Sequence, residues 1–155
     1  MKTIVLVLLV NCCISSVFSQ KHTKINWMSW AQLEEAQDLQ PKPVFVYFHA
    51  KWCSYCKKIK RKTFANPEVI QKLNSDYYAV EMDVETTDTI VFDGLSFTNK
   101  QAKTKRNGVH ELPLLLASRK NKAFTLPATL LFTENFSIRE RIFSYYTSEQ
   151  LLEKL

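Results

Sequence analysis

The chain has 155 residues, a formal charge of +6, four cysteines and two glycines. Its 46% apolar and 23% charged content is that of one globular domain and excludes collagen-like, coiled-coil and disordered classes. Two glycines leave no room for a glycine-rich phosphate loop, so P-loop and Rossmann nucleotide sites are excluded as well.

Residues 1–19 read as a secretory signal peptide. Lys2 is the positive end, Thr3 to Val10 the apolar run, and Val17-Phe18-Ser19 the segment before a cut that leaves Gln20 first. The run is far shorter than the roughly 20 residues that span a bilayer. The alternatives are a retained membrane anchor or a lipoprotein modified at Cys12. Leu9-Val10-Asn11-Cys12 loosely resembles a lipobox, although Asn11 is a poor residue before the modified cysteine. Lys2 goes with the leader, so the mature chain carries 20 basic and 15 acidic residues, or +5. Its cysteines are Cys53 and Cys56 alone, which excludes a disulfide-rich scaffold and a four-cysteine zinc site.

The polar lead-in to Asn26 ends in a short strand near Ile25. Trp27, Trp30, Leu33, Ala36 and Leu39 then recur at helical spacing with one buried face, and Pro41 and Pro43 stop that helix. Val44 to Phe48 is a buried strand, and His49 to Trp52 is a loop. A lysine-rich helix runs from Ser54 through Phe64. Asn66-Pro67 caps and starts a second helix whose inward face is Val69, Ile70 and Leu73. Tyr77 to Val84 alternates as a strand.

Residues 86–108 read as a surface insertion, with a short strand and turn at Ile90 to Gly94 and then a basic stretch from Lys100 to Arg106. Val109 to Ser118 is expected to be a helix with Leu112, Leu115 and Leu116 inward. Ala123 to Phe132, with Pro127 inside it, and Ile138 to Phe143 are expected strands. Thr147 to Leu155 closes the chain as a helix, with a Thr147–Gln150 capping box. This order implies an α/β fold, a mixed sheet covered by helices on both faces.

The chemistry concentrates at Trp52-Cys53-Ser54-Tyr55-Cys56, where a buried strand gives way to a helix. A helix N-terminus carries partial positive charge and unpaired N–H groups, so the Cys53 thiol is expected to be more acidic than a free thiol near 8.5. Cys56 lies one turn on, within reach of a disulfide. Cys53 is the candidate nucleophile, and Cys56 is the resolving thiol that attacks the mixed disulfide at Cys53. Half of a zinc site is an alternative, with His22, His49 and His110 as the remaining ligand candidates, but no second cysteine pair exists. A purely structural disulfide is another. A Cys–His protease is not supported, because nothing supplies an oxyanion hole or a third orienting group.

Val44 to Lys58, with the Cys-x-x-Cys pair and its lysine-rich helix, resembles the thioredoxin superfamily, and Thr125-Leu126-Pro127-Ala128-Thr129-Leu130-Leu131-Phe132 is similar to that family's proline strand. The resemblance runs from about Ile25 to Leu155. Within the superfamily the chain is similar to exported thioredoxin-like reductases and to the C-terminal periplasmic domain of the transmembrane reductase DsbD. It shares their helix before the strand, Lys42-Pro43, and the run Thr63-Phe64-Ala65-Asn66-Pro67-Glu68-Val69.

The resemblance implies a thioredoxin fold and a cis Pro127 beside Cys53. It makes Leu126 a backbone partner for an extended substrate segment. It also makes Trp52 an apolar wall, against the plainer reading of simple packing. No cofactor is implied beyond the redox-active pair Cys53–Cys56. Where many thioredoxins carry a buried Asp, six residues before the first cysteine, this chain has Tyr47. Glu81 is the candidate substitute proton acceptor, against an ordinary exposed strand carboxylate. His49 and Lys57 are candidate tuning residues.

The expected function is reduction of protein disulfides by an exported, monomeric domain in the periplasm, or secreted or lipid-anchored. The expected partners are protein thiols and a membrane-bound electron donor of the DsbD type. A disulfide oxidase or isomerase, and a metal or haem-assembly chaperone using the same sulfurs, are the alternatives. Nucleic acid is excluded as a partner, since the positive residues are dispersed and the aromatics lie on core positions.

Overall fold

The structure, a computed structural model, describes residues 23–155. The expected leader, its cut before Gln20, Cys12 and His22 lie outside the described residues. Among those described, no helix is long and apolar enough to cross a membrane.

The chain opens with strand β1 (Trp27–Met28) and helix α1 (Trp30–Leu39). Trp27 therefore belongs to a strand and not to the helix, although its spacing matched the helical repeat. The boundary is set by Ser29, whose hydroxyl accepts from Gln32 N–H while the Gln32 side chain accepts from Ser29 N–H at 2.8 Å, a capping box. Only Trp30 and Leu33 of the helix are buried, and Leu39 at its end is 81% exposed.

Strand β2 (Val44–His49) is followed by α2 (Ser54–Lys62), α3 (Pro67–Asp76) and β3 (Tyr78–Asp83). His49 closes the strand instead of opening the loop, because it continues the ladder opposite Asp83. Asn66 caps α3, accepting from Glu68 and Val69 N–H, and Pro67 occupies the first helical turn.

Strands β4 (Ile90–Phe92) and β5 (Leu95–Phe97) form a separate hairpin, followed by a 3-10 turn at Lys100–Lys103. The second strand of this hairpin was not expected. Asp93 (φ 52°) and Gly94 (φ 68°) make its turn, the left-handed backbone that such two-residue loops require. Phe92 packs edge-on against Trp30 at 4.9 Å, which seats the hairpin on α1.

Helix α4 (Glu111–Ala117), β6 (Ala128–Phe132), β7 (Ile138–Ile142) and α5 (Ser148–Leu152) complete the domain. Leu112 is buried as expected, but Leu115 is 65% exposed, since Leu112, Pro113 and Ala117 carry the inward face of this short helix. Strand β6 begins only after Pro127, which lacks the N–H a ladder needs. The expected capping box of Thr147 and Gln150 is present on α5.

The five-stranded sheet has the order β1-β3-β2-β6-β7. Strands β1 and β2 run parallel to β3, and β6 and β7 are antiparallel additions. All of β6 and Val44 to Phe48 of β2 are buried. Alternation sends Val44, Val46 and Phe48 to one face and Phe45, Tyr47 and His49 to the other. Trp30 of α1 stacks on Phe48 at 6.4 Å on the first face. On the second, Phe64 meets Tyr47 edge-on at 4.8 Å, and the Tyr47 hydroxyl reaches α2. The sheet thus carries a helix on each face and leaves the β2–α2 junction at one end.

Candidate active site

Cys53 is the N-cap of α2, and its sulfur accepts the Cys56 N–H at 3.1 Å. The two cysteines form a disulfide, with Cα atoms 5.2 Å apart. The strand-to-helix transition explains this local form. Cys53 N–H donates to Ala50 O at 3.1 Å, and Lys57 N–H donates to Cys53 O at 3.1 Å, so the turn closes directly into the first helical turn. Opening the disulfide returns Cys53 sulfur to a helix N-terminus with an N–H already aimed at it, an environment that favours thiolate over thiol.

Cys53 is 5% and Cys56 1% exposed. The exposed residues around the sulfurs include two aromatics, Trp52 at 55% and Tyr55 at 60%, with Ser54, Lys57 and Lys58. Trp52 is therefore no packed core residue. Its indole N–H donates to Glu85 Oε1 at 2.7 Å. On the other flank Tyr55 lies 6.1 Å from the Tyr145 ring, over which Lys58 Nζ sits at 4.3 Å.

The peptide bond between Leu126 and Pro127 is cis. Pro127 is buried and Leu126 half-buried. The β2–β6 register pairs Phe48 with Ala128, which brings Pro127 to the sheet end from which the Cys53 loop departs. Leu126 and Trp52 line one groove.

Beneath α2 the position six before Cys53 holds Tyr47, fully buried, whose hydroxyl donates to Cys56 O at 3.1 Å. Burial, and then the Glu81 carboxylate, push this phenol up from its ordinary value of 10, so it stays a neutral donor. Glu81 pairs with Tyr47 across the ladder and is half-buried, not the exposed strand carboxylate of the plainer reading. It forms an ion pair with Lys60 Nζ at 2.9 Å.

His49 stacks on Tyr47 at 5.8 Å. Burial and the neighbouring Lys60 push its imidazole below the usual 6.5, against the opposing pull of Glu81 and Asp83. The net shift favours the neutral ring. Lys57 is exposed on the outer face of α2. His110 is fully buried and spent on the backbone, Nδ1 accepting Leu112 N–H and Nε2 lying 3.1 Å from Asp88 O. Among the described residues, no group of three or more His, Cys, Asp and Glu side chains is arranged to hold a metal ion.

Residues 31–155 match the thioredoxin-like domain family. The chain belongs to that family. A relative is the thiol:disulfide interchange protein DsbD of Campylobacter jejuni (strain RM1221), 26% identical over 129 residues, which are 82% of this chain and 18% of that protein. The chain thus spans less than a fifth of this relative's length. Among solved structures, the DsbH oxidoreductase superposes with a TM-score of 0.60 at 16% identity, over 91% of this chain and 88% of that one. A thioredoxin from Thermus thermophilus gives 0.58 at 16% identity over 84% of each. These likenesses show the fold, and the cysteine pair sits at its β2–α2 junction.

The sequence reading missed Glu85, Asn107 and Phe124, which line the groove with Trp52, and Tyr145, which flanks Tyr55. Nothing local marks them, for Trp52 and Glu85 are 33 positions apart.

Proposed function

We propose that the protein is an exported thiol–disulfide oxidoreductase that reduces protein disulfides through Cys53 and Cys56. The observation that carries this reading is the Cys53–Cys56 disulfide at the N-cap of α2, at the sheet end that also bears the cis Leu126–Pro127 bond. Residues 1–19 serve as its leader, and it acts as a monomer.

In the reduced protein the Cys53 thiolate attacks one sulfur of the substrate disulfide. A Cys53–substrate bond forms and the other substrate sulfur leaves as a thiolate, which takes a proton from water. Cys56 then gives up its proton and attacks Cys53 sulfur. This closes the disulfide seen in the structure and releases the second substrate thiolate. Two electrons have passed to the substrate, and a membrane-bound dithiol donor of the DsbD type returns them. The apolar Leu126 before Pro127 and the homology to part of DsbD support the reducing direction. In substrate binding, Leu126 offers its backbone to an extended segment and Trp52 walls the site.

The test is the reduction potential of the pair in glutathione or dithiothreitol buffers. A value near about −270 mV fits a reductase, and one near about −120 mV reverses the direction. Cys56→Ala leaves Cys53 without its resolving thiol, so mixed disulfides with substrates accumulate. Stoichiometric Cu(I) or Zn(II) binding with no reduction of insulin disulfides points instead to a metal chaperone. Mass measurement of the exported protein reports whether Gln20 is its first residue.

A further inference from the structure

Trp52, the residue before Cys53, lines a groove of about 370 Å³. Its apolar lining comes from Trp52, Val84, Val109, Phe124 and Leu126, and Glu85 is the charged residue among its lining. The carboxylate is fixed in place. Its Oε1 accepts from Trp52 Nε1–H at 2.7 Å and from Asn107 Nδ2–H at 2.8 Å. Both donors are neutral, so the negative charge is oriented but not compensated. No ion pair to Glu85, and no hydrogen bond to its Oε2, is present among the described residues. Trp52 directly precedes Cys53, and Leu126 directly precedes the cis-proline.

We propose that this groove receives a lysine or arginine side chain that lies beside the reacting cysteine of the partner protein, with Glu85 as its counter-ion. The assignment rests on the thiol–disulfide exchange reading and names the substrate class for it. Lysine and arginine match the lining in both parts. Their methylene stems cover apolar surface while the charged head seeks a polar partner, and an indole face attracts a cation. A carboxylate already held by two hydrogen bonds loses little freedom when the cation arrives. Glu85 is itself partly buried, so the pair is somewhat stronger than one in open water. An acidic side chain entering the same groove meets a like charge and loses its hydration. The exposed Lys51, Lys105 and Arg106 neighbour groove residues in sequence. Their long-range repulsion of a cation is screened within about 8 Å at physiological salt, whereas contact with Glu85 inside the groove is screened much less.

The experiment uses the mature protein reduced with dithiothreitol and freed of it, mixed with short peptide disulfides. The peptides differ only in carrying Lys, Gln or Glu at each of the two positions on either side of the cysteine. Second-order exchange rates are read by acid quench and mass spectrometry. At one position or more the Lys peptide is expected to react about tenfold faster than the Gln peptide, equivalent to about 1.4 kcal/mol, with the Glu peptide slowest. In Glu85→Gln the amide oxygen still accepts from Trp52 and Asn107, and the Lys-to-Gln rate ratio is expected to fall to about one, while Glu85→Asp keeps part of it. A wild-type ratio of one at every position, a ratio unchanged in Glu85→Gln, or a fastest Glu peptide overturns the assignment alone. No exchange with any peptide overturns the exchange reading itself, and the assignment with it.

Discussion

Replacing Tyr47 with Phe removes one oxygen from a fully buried ring and leaves its contacts with Phe64, Trp27 and His49 in place. The hydroxyl donates to Cys56 O at 3.1 Å. That carbonyl also lies inside α2 and keeps its helical partner four residues on, so no acceptor is orphaned. The expected cost at pH 7 is about 1 kcal/mol, that of one hydrogen bond, or a fall of about 3 °C in melting temperature for a chain of this size.

The same substitution has an opposite effect in alkali. Burial first, and Glu81 second, hold the Tyr47 phenol above its ordinary 10. The unfolded chain therefore loses this proton first. The stability contributed by the buried neutral phenol is complete below pH 10 and declines above it, by up to about 1.4 kcal/mol per pH unit. Tyr146, buried and likewise raised, adds its own share. Phe at 47 has no proton to lose, so the deficit of the variant shrinks above pH 10 and reverses near about pH 11. Urea denaturation of the oxidised protein at pH 7, 9, 10 and 11 checks this through the midpoint at constant slope. A deficit that is the same at pH 7 and pH 11 refutes the burial argument. One above about 3 kcal/mol at pH 7 refutes the single-bond argument.

Three further outcomes follow from the same geometry. His49 is held below 6.5 by burial and then by Lys60, so its neutral ring contributes stability above 6.5 that is lost as the pH falls below it. Lys60→Gln removes the cation, and the His49 ring resonances are expected to titrate at higher pH by NMR; a downward or absent shift contradicts the pairing. The carboxyl of Glu111 is held at about 2, first by Lys100 and then by Thr98 N–H, against an ordinary 4.5. Its contribution is present above 4.5 and lost as the pH falls towards 2. Amide exchange at Thr98 is expected to gain an acid-dependent opening in that window, and Glu111→Ala, which removes the acceptor, should show the opening at neutral pH. At Gly108 an added Cβ would stand 2.5 Å from Ala102 N and 2.6 Å from Gln101 C, both backbone. Gly108→Ala should cost about 1–3 kcal/mol in urea denaturation, and a wild-type midpoint excludes the close approach.

What the sequence disclosed was what local chemistry encodes. Asn66-Pro67 and Thr147-x-x-Gln150 mark helix starts because the cap and its partner lie within four residues. The apolar run of β2 is legible because a strand buried on both faces needs no alternation. The cysteine pair is legible because its disulfide spans three positions. Trp27 went to the wrong element because a two-residue strand carries no period of its own, and the helical repeat absorbed it; Ser29-x-x-Gln32 was the better signal. Strand β5 is half in solvent, with Leu95 60% exposed, so no apolar alternation announced it. The groove was illegible for a different reason. Glu85 meets Trp52 across 33 positions and Asn107 across 22, and no one-dimensional pattern encodes a contact made by folding.

The 86–108 segment is closed on itself through Asn99, joined to the strand exit through His110, and packed on α1 through Phe92. Asn99 donates to Thr86 O and Gly108 O and accepts from Ala102 N–H, and His110 N–H donates to Val84 O at 2.8 Å. Cutting the buried Asn99–Gly108 link leaves an unpaired buried group, which holds this end of the segment in place. The residues so placed include Asn107, which holds Glu85, and Val109, which lines the groove. Of the nearby carboxylates, Glu81 has Lys60 and Glu111 has Lys100, while Asp83 and Asp88 have no ion pair among the described residues. Glu85 is secured by an indole and an amide instead. A carboxylate that only had to brace the loop would be served equally by an amide in its place, which makes the exchange rates of Glu85→Gln the deciding measurement. An unchanged preference leaves Glu85 a brace, and a lost preference makes its charge part of substrate recognition.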